Sequence, residues 1–123
     1  MVCKILFFDY KKSDKPYFDK NPLDNFCIKF IESSLNDYNK TLQAPEEYEN
    51  TTAISINSNS NITREVIEKF KNLRVIATRS KDFSHIDIPY CIERNIAVVN
   101  VENYKPDCDY YNLSATFKGI TAV

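Results

Sequence analysis

The sequence predicts an α/β domain of flavodoxin-like, doubly wound type: a five-stranded parallel sheet with helices on both faces. Two observations carry this expectation. Short apolar runs alternate along the chain with segments of helical periodicity, joined by short polar links, as crossover connections between parallel strands require. The apolar runs are nearly continuous rather than alternating, as in strands buried on both faces. The length, 123 residues, suits one such domain and is short for two. Right-handed crossovers make the sheet doubly wound.

The elements follow in order. Lys4 to Asp9 is an apolar run ended by polar residues, a first strand. Lys15 to Leu23 is expected to contain a short helix, broken by Pro16 and Pro22. Phe26 to Ile31 is a second strand and Ser34 to Gln43 a helix. Ala53 to Ile56 is a third strand, followed by the polar stretch Asn57 to Asn61. Thr63 is placed to cap the next helix, in which Val66, Ile67 and Phe70 share a face and Glu65 suits the positive end of the dipole. Leu73 to Thr78 is a fourth strand. Asp87 caps a helix from Ile88 to Arg94, with Pro89 tolerated in its first turn, and Ile96 to Val101 is a fifth strand. After Tyr104 the pattern fades.

Composition excludes several functions. The formal net charge is -1, with 27% charged residues and a pI near 5.8, so nothing points to nucleic acid or an anionic membrane. No run approaches the roughly 20 apolar residues that span a bilayer. The first residues lack the pattern of a signal peptide, and a cytoplasmic chain is expected. Cys3, Cys27, Cys91 and Cys108 show no CxxC spacing and are expected to be reduced. With one histidine, His85, no metal site is expected. The one glycine, Gly119, leaves no P-loop or dinucleotide fingerprint, since both need backbone to approach phosphate closely. A receiver domain would share the strand order, but Asn57 stands where its phosphoacceptor aspartate would be.

One stretch is more specific. Leu73-Arg74-Val75-Ile76-Ala77-Thr78-Arg79-Ser80-Lys81-Asp82-Phe83-Ser84-His85-Ile86-Asp87 resembles the substrate-domain motif of the D-isomer-specific 2-hydroxyacid dehydrogenases, the D-lactate dehydrogenase type. Cys91 to Val101 is similar to the family's following helix and strand, with Asn95 where glycine is usual. The resemblance covers roughly residues 1–106, the implied substrate domain, and leaves 107–123 as a C-terminal extension. It implies that backbone N–H groups of the loop after the fourth strand hold the carboxylate of a small 2-oxo or 2-hydroxy acid. The implied substrate-binding residues are Arg79, Ser80, Lys81, Asp82 and Tyr104, the last from the match of Asn100-Val101-Glu102-Asn103-Tyr104-Lys105-Pro106 to a family pattern.

Two departures bear on function. Asp82 replaces the loop glycine, adding a side chain and a negative charge beside an anion site. The family's nicotinamide half supplies a glycine-rich loop, an arginine and a His–Glu pair, and none is legible here. The implied chain therefore contributes no catalytic residue, binds no NAD (the family's cofactor) by itself and does not turn over alone. Its implied partners are a small acid, and a homodimer mate or a separate NAD-domain chain. A non-catalytic binding or dimerisation module is the alternative, and Tyr110, Tyr111 and Phe117 would suit such a surface.

Each singled-out residue also has a plain structural role. Arg79 at a strand end pairs readily with a nearby carboxylate, and Ser80 stabilises a turn. His85 bonds loop backbone rather than acting as a base, Asp87 caps a helix, and Asn57 to Asn61 is a polar connection.

Overall fold

The computed structural model describes residues 3–12, 26–41 and 46–100. Strands β1 (Cys3–Phe7), β2 (Phe26–Phe30), β3 (Thr51–Ile56), β4 (Val75–Thr78) and β5 (Ala97–Asn100) form one sheet in the order β2-β1-β3-β4-β5, every neighbouring pair parallel. The described helices are α1 (Leu35–Thr41), α2 (Glu46–Glu49), α3 (Arg64–Glu68) and α4 (Ile88–Glu93). This is the expected α/β sheet in the expected order. The expected helix over Lys15 to Leu23 lies outside the described residues, and the short α2 was not anticipated.

The strands alternate their side chains between two covered faces. Leu6, Ile54, Ile56 and Ile76 join Leu35, Tyr48, Ile67 and Phe70 in one core cluster. Tyr48 stacks on Phe70 with ring centroids 4.3 Å apart. Ile5, Phe7, Ala53 and Ala77 turn to the opposite face and are just as completely buried, which explains why the runs read as continuous apolar sequence. Truncating a residue such as Ile54 to alanine is worth about 3 kcal/mol of stability.

Caps set the helix ends. Thr63 Oγ1 accepts from the Val66 N–H at 3.4 Å and Asp87 Oδ1 from the Tyr90 N–H at 3.2 Å, so both expected caps are in place. Ser34 Oγ serves α1 in the same way, accepting from the Asp37 N–H. Helix α4 closes in a Schellman motif: the Ile96 N–H reaches the Cys91 carbonyl and the Asn95 N–H the Ile92 carbonyl. Asn95 sits at φ 58°, the left-handed region that asparagine tolerates better than most residues. That accounts for asparagine at a position where the resemblance led one to expect glycine.

The strand order reverses at β1, which has β2 on one side and β3 on the other while all strands keep one direction. In open parallel sheets ligands bind outside the carboxyl ends of the strands, near such a reversal. The residues following β1, β3 and β4 all emerge at that edge.

Candidate functional site

The loop after β4 is the most distinctive part of the edge. Thr78 is fully buried at the strand's end. Its Oγ1 lies 2.6 Å from Ser80 Oγ and 2.9 Å from His85 Nε2. Ser80 Oγ donates to the Asp82 carbonyl at 3.0 Å, and Asn100 Nδ2, at the end of β5, donates to the Lys81 carbonyl at 3.2 Å. The C=O and N–H of a planar trans peptide point in opposite directions. Holding the Lys81 and Asp82 carbonyls therefore aims the Asp82 and Phe83 N–H groups the other way. Among the described residues, the backbone N–H groups of 80–83 donate to no protein group.

Side chains in this loop take separate roles. Lys81 is exposed. Asp82 is exposed too, but its Oδ1 accepts from the Ser84 N–H at 3.2 Å and the Ser84 hydroxyl at 2.9 Å. Those bonds hold its carboxyl below the usual range and fold the charge back onto the loop. Asp82 does not take a positive φ, so the loop reaches its shape without glycine at that position. Arg79 turns inward instead. Only 9% exposed, it donates through Nη1 to Ser55 Oγ at 2.5 Å and through Nη2 to the Phe8 carbonyl, with its guanidinium 4.3 Å from the Phe7 ring centre. It ties the ends of three strands together through the Ser55 hydroxyl and the Phe8 carbonyl.

His85 is partly buried. Its carbonyl accepts from the Ile62 N–H at 2.8 Å, within an isolated bridge between Ile62 and Ile86. Its Nδ1 is buried without a partner. Burial lowers its pKa, and the nearby Asp82 carboxylate opposes that only in part. Sequence alone marked His85 as structural and missed its link to Thr78.

The loop after β3 is knitted to its surroundings. Ser60 Oγ accepts from the Leu35 N–H at 3.0 Å, and Asn61 and Asn36 exchange a pair of hydrogen bonds. Asn59 Nδ2 donates to Asp9 Oδ1 at 3.1 Å. Asp9, two residues past the end of β1, sits at φ 57° and leaves Oδ2 buried without a partner. No sequence signal beyond its place after an apolar run marked Asp9. Asn57 to Asn61 is thus a structural connection.

Beside the β4 loop, Phe83, Ile88, Cys91, Ile92, Ile96 and Val98 line an apolar depression of about 240 Å³. Ile92, on its rim, is 70% exposed. Burial pushes the Cys91 thiol up to about 11, which leaves it protonated and unreactive. Tyr104 lies outside the described residues, as does the extension 107–123. Among the described residues no cluster of three His, Cys, Asp or Glu side chains is placed to hold a metal. None of the described helices is long and apolar enough to cross a membrane.

Comparison with known proteins matches residues 5–108 to the family described as D-isomer specific 2-hydroxyacid dehydrogenase, catalytic domain. A 2-hydroxyacid dehydrogenase homolog of Haemophilus influenzae is 31% identical over 107 residues, covering 85% of this chain and 31% of that protein. The D-lactate dehydrogenase of Aquifex aeolicus, solved with NAD and lactic acid, superimposes with a TM-score of 0.68 at 26% identity, over 83% of this chain and 29% of that one. A Salmonella D-lactate dehydrogenase gives 0.64 at 27% identity, over 84% and 31%. The chain spans less than a third of the length of each of these relatives.

Proposed function

This chain belongs to the D-isomer specific 2-hydroxyacid dehydrogenase family, in its catalytic domain, and from that premise we propose that residues 80–83 receive the carboxylate of a small 2-hydroxy or 2-oxo acid. One observation carries the reading: consecutive backbone N–H groups of this loop donate to no protein group among the described residues. A carboxylate satisfies such donors, and their alignment at a strand's carboxyl end makes an anion-binding concavity. Ser80 and Asn100 hold the carbonyls that aim two of the donors, and exposed Lys81 adds positive charge. Arg79 supports the loop from beneath, and Tyr104 is taken as a further contact by family resemblance. Residues 1–106 act as the substrate domain and 107–123 as an extension.

The family's nicotinamide cofactor does not fit the described residues. The reversal between β1 and β3, where a dinucleotide phosphate would sit, carries the Asp9 carboxylate rather than glycine backbone. Like charge there opposes a pyrophosphate. The reading therefore assigns this chain substrate binding and orientation only. Hydride transfer requires a nicotinamide-binding half beyond these 123 residues, in another chain or in further sequence. On this reading residues 1–123 alone do not turn over. The free thiols Cys27 and Cys91 support a cytoplasmic setting.

An amide NMR titration with pyruvate tests the proposal. The expected result is saturable shifts centred on residues 80–83, with Tyr104 following. Absence of shifts there at about millimolar pyruvate, the weak end of affinities worth considering, would refute it.

A further inference from the structure

We infer that His85 is a positioning residue: it sets the β4 loop through a one-way chain of hydroxyl hydrogen bonds that ends on the Asp82 carbonyl. The direction follows from donor counting. A carbonyl oxygen only accepts, so Ser80 Oγ, 3.0 Å away, gives its single proton to it. Thr78 Oγ1, 2.6 Å from Ser80 Oγ, must then be the donor in that pair. With its proton spent, Thr78 Oγ1 accepts from His85 Nε2 at 2.9 Å. A neutral imidazole has one N–H, so Nε2 carries it and Nδ1 is a bare lone pair. Nδ1 is the buried ring nitrogen without a partner, and a lone pair is the cheaper group to leave so.

The chain has a mechanical consequence. His85 is tied at its backbone to Ile62, a fixed point outside the loop. Through Thr78 and Ser80 the ring holds the Asp82 carbonyl, and the planar peptide then aims the Phe83 N–H the opposite way. The ring thus orients a loop donor that it does not touch. Its importance for ligand binding rests on the carboxylate reading proposed above; the hydrogen-bond chain does not.

His85 is the single histidine, so 15N-histidine labelling gives one ring to follow. The expected spectrum at neutral pH shows an Nε2–H with slow solvent exchange. Thr78→Val should speed that exchange. Ser80→Ala, which alters no direct contact of the ring, should also shift Nε2 and move the Phe83 amide. An Nδ1–H ring, or an Nε2 signal indifferent to Ser80→Ala, overturns the inference. With pyruvate, His85→Leu should bind about tenfold more weakly, the worth of roughly one buried hydrogen bond, while His85→Gln, which restores a donor near Nε2, should bind like the wild type. Equal affinity in His85→Leu and wild type would also overturn it. If wild-type protein binds no pyruvate, the carboxylate reading fails, and the tautomer and Ser80→Ala results still decide whether the chain of hydrogen bonds exists.

Discussion

The loops after β3 and β4 leave neighbouring parallel strands at the same edge of the sheet, yet they spend their hydrogen bonds in opposite ways. The first turns its polar groups inward or onto α1: Ser60 serves the Leu35 N–H, Asn61 pairs with Asn36, and Asn59 reaches Asp9. The second fixes two carbonyls, through Ser80 and Asn100, and leaves the N–H groups of 80–83 without a protein acceptor among the described residues. Polar composition does not separate the two. What separates them is which half of each peptide is satisfied, since a loop with its acceptors filled and its donors open is prepared for an anion.

The contrast can be broken first at Arg79, which braces the floor beneath both loops. Arg79→Met strips a hydrogen-bonded cation from the Ser55 hydroxyl and the Phe8 carbonyl. The expected loss is about 3 kcal/mol in urea unfolding, because buried partners are left unsatisfied. A loss below about 1 kcal/mol would mean the loops do not depend on this brace. Next, Ser60→Ala should cost about 1 kcal/mol in the same measurement and leave pyruvate binding unchanged. Altered pyruvate affinity in that variant would erase the division between the loops.

Asp82→Gly sharpens the comparison from the other side. It removes a like charge beside the open donors, so pyruvate should bind about fivefold more tightly, from a repulsion of about 1 kcal/mol. Stability should fall by no more than about 1 kcal/mol, the usual cost of glycine's freedom in the unfolded chain. Weaker binding in this variant would show that the Asp82–Ser84 turn shapes the receptor. The smallest effect concerns pH. Burial lowers the His85 pKa, so the unfolded chain takes up the proton first as pH falls. Stability from this group is full above the ordinary histidine range near 6.5, declines as pH drops from there to the lowered folded value, and then levels off. Unfolding midpoints of wild type minus those of His85→Gln, followed from about pH 8 to about pH 5, should show that decline.

Much of the fold was legible because local sequence carries it. The buried strands are apolar runs, and Thr63 and Asp87 announce the helices they cap. Helix α2 was not legible: Glu46-Glu47-Tyr48-Glu49 has no apolar face, and long-range contacts hold it. Tyr48 stacks on Phe70, while Glu47 takes hydrogen bonds from Lys29 and Tyr38. The site divides the same way. The motif from Leu73 to Asp87 located the loop, since its residues are contiguous. The inward turn of Arg79 depends on Ser55 and Phe8, 24 and 71 positions away, and no local pattern records such partners. Likewise Asn100 finds the Lys81 carbonyl only once β5 has paired with β4.

The interior position of β1, between β2 and β3, has a consequence for how the protein is made. Its run of apolar residues is synthesised before either neighbour, and on one side it pairs with β3, where Lys4 meets Thr52 across 48 positions of chain. At ordinary synthesis rates β1 waits about 2–10 s for that neighbour. Throughout that interval an interior strand of the sheet keeps its β3-facing edge open, a hydrophobic ribbon exposed to aggregation and to chaperones.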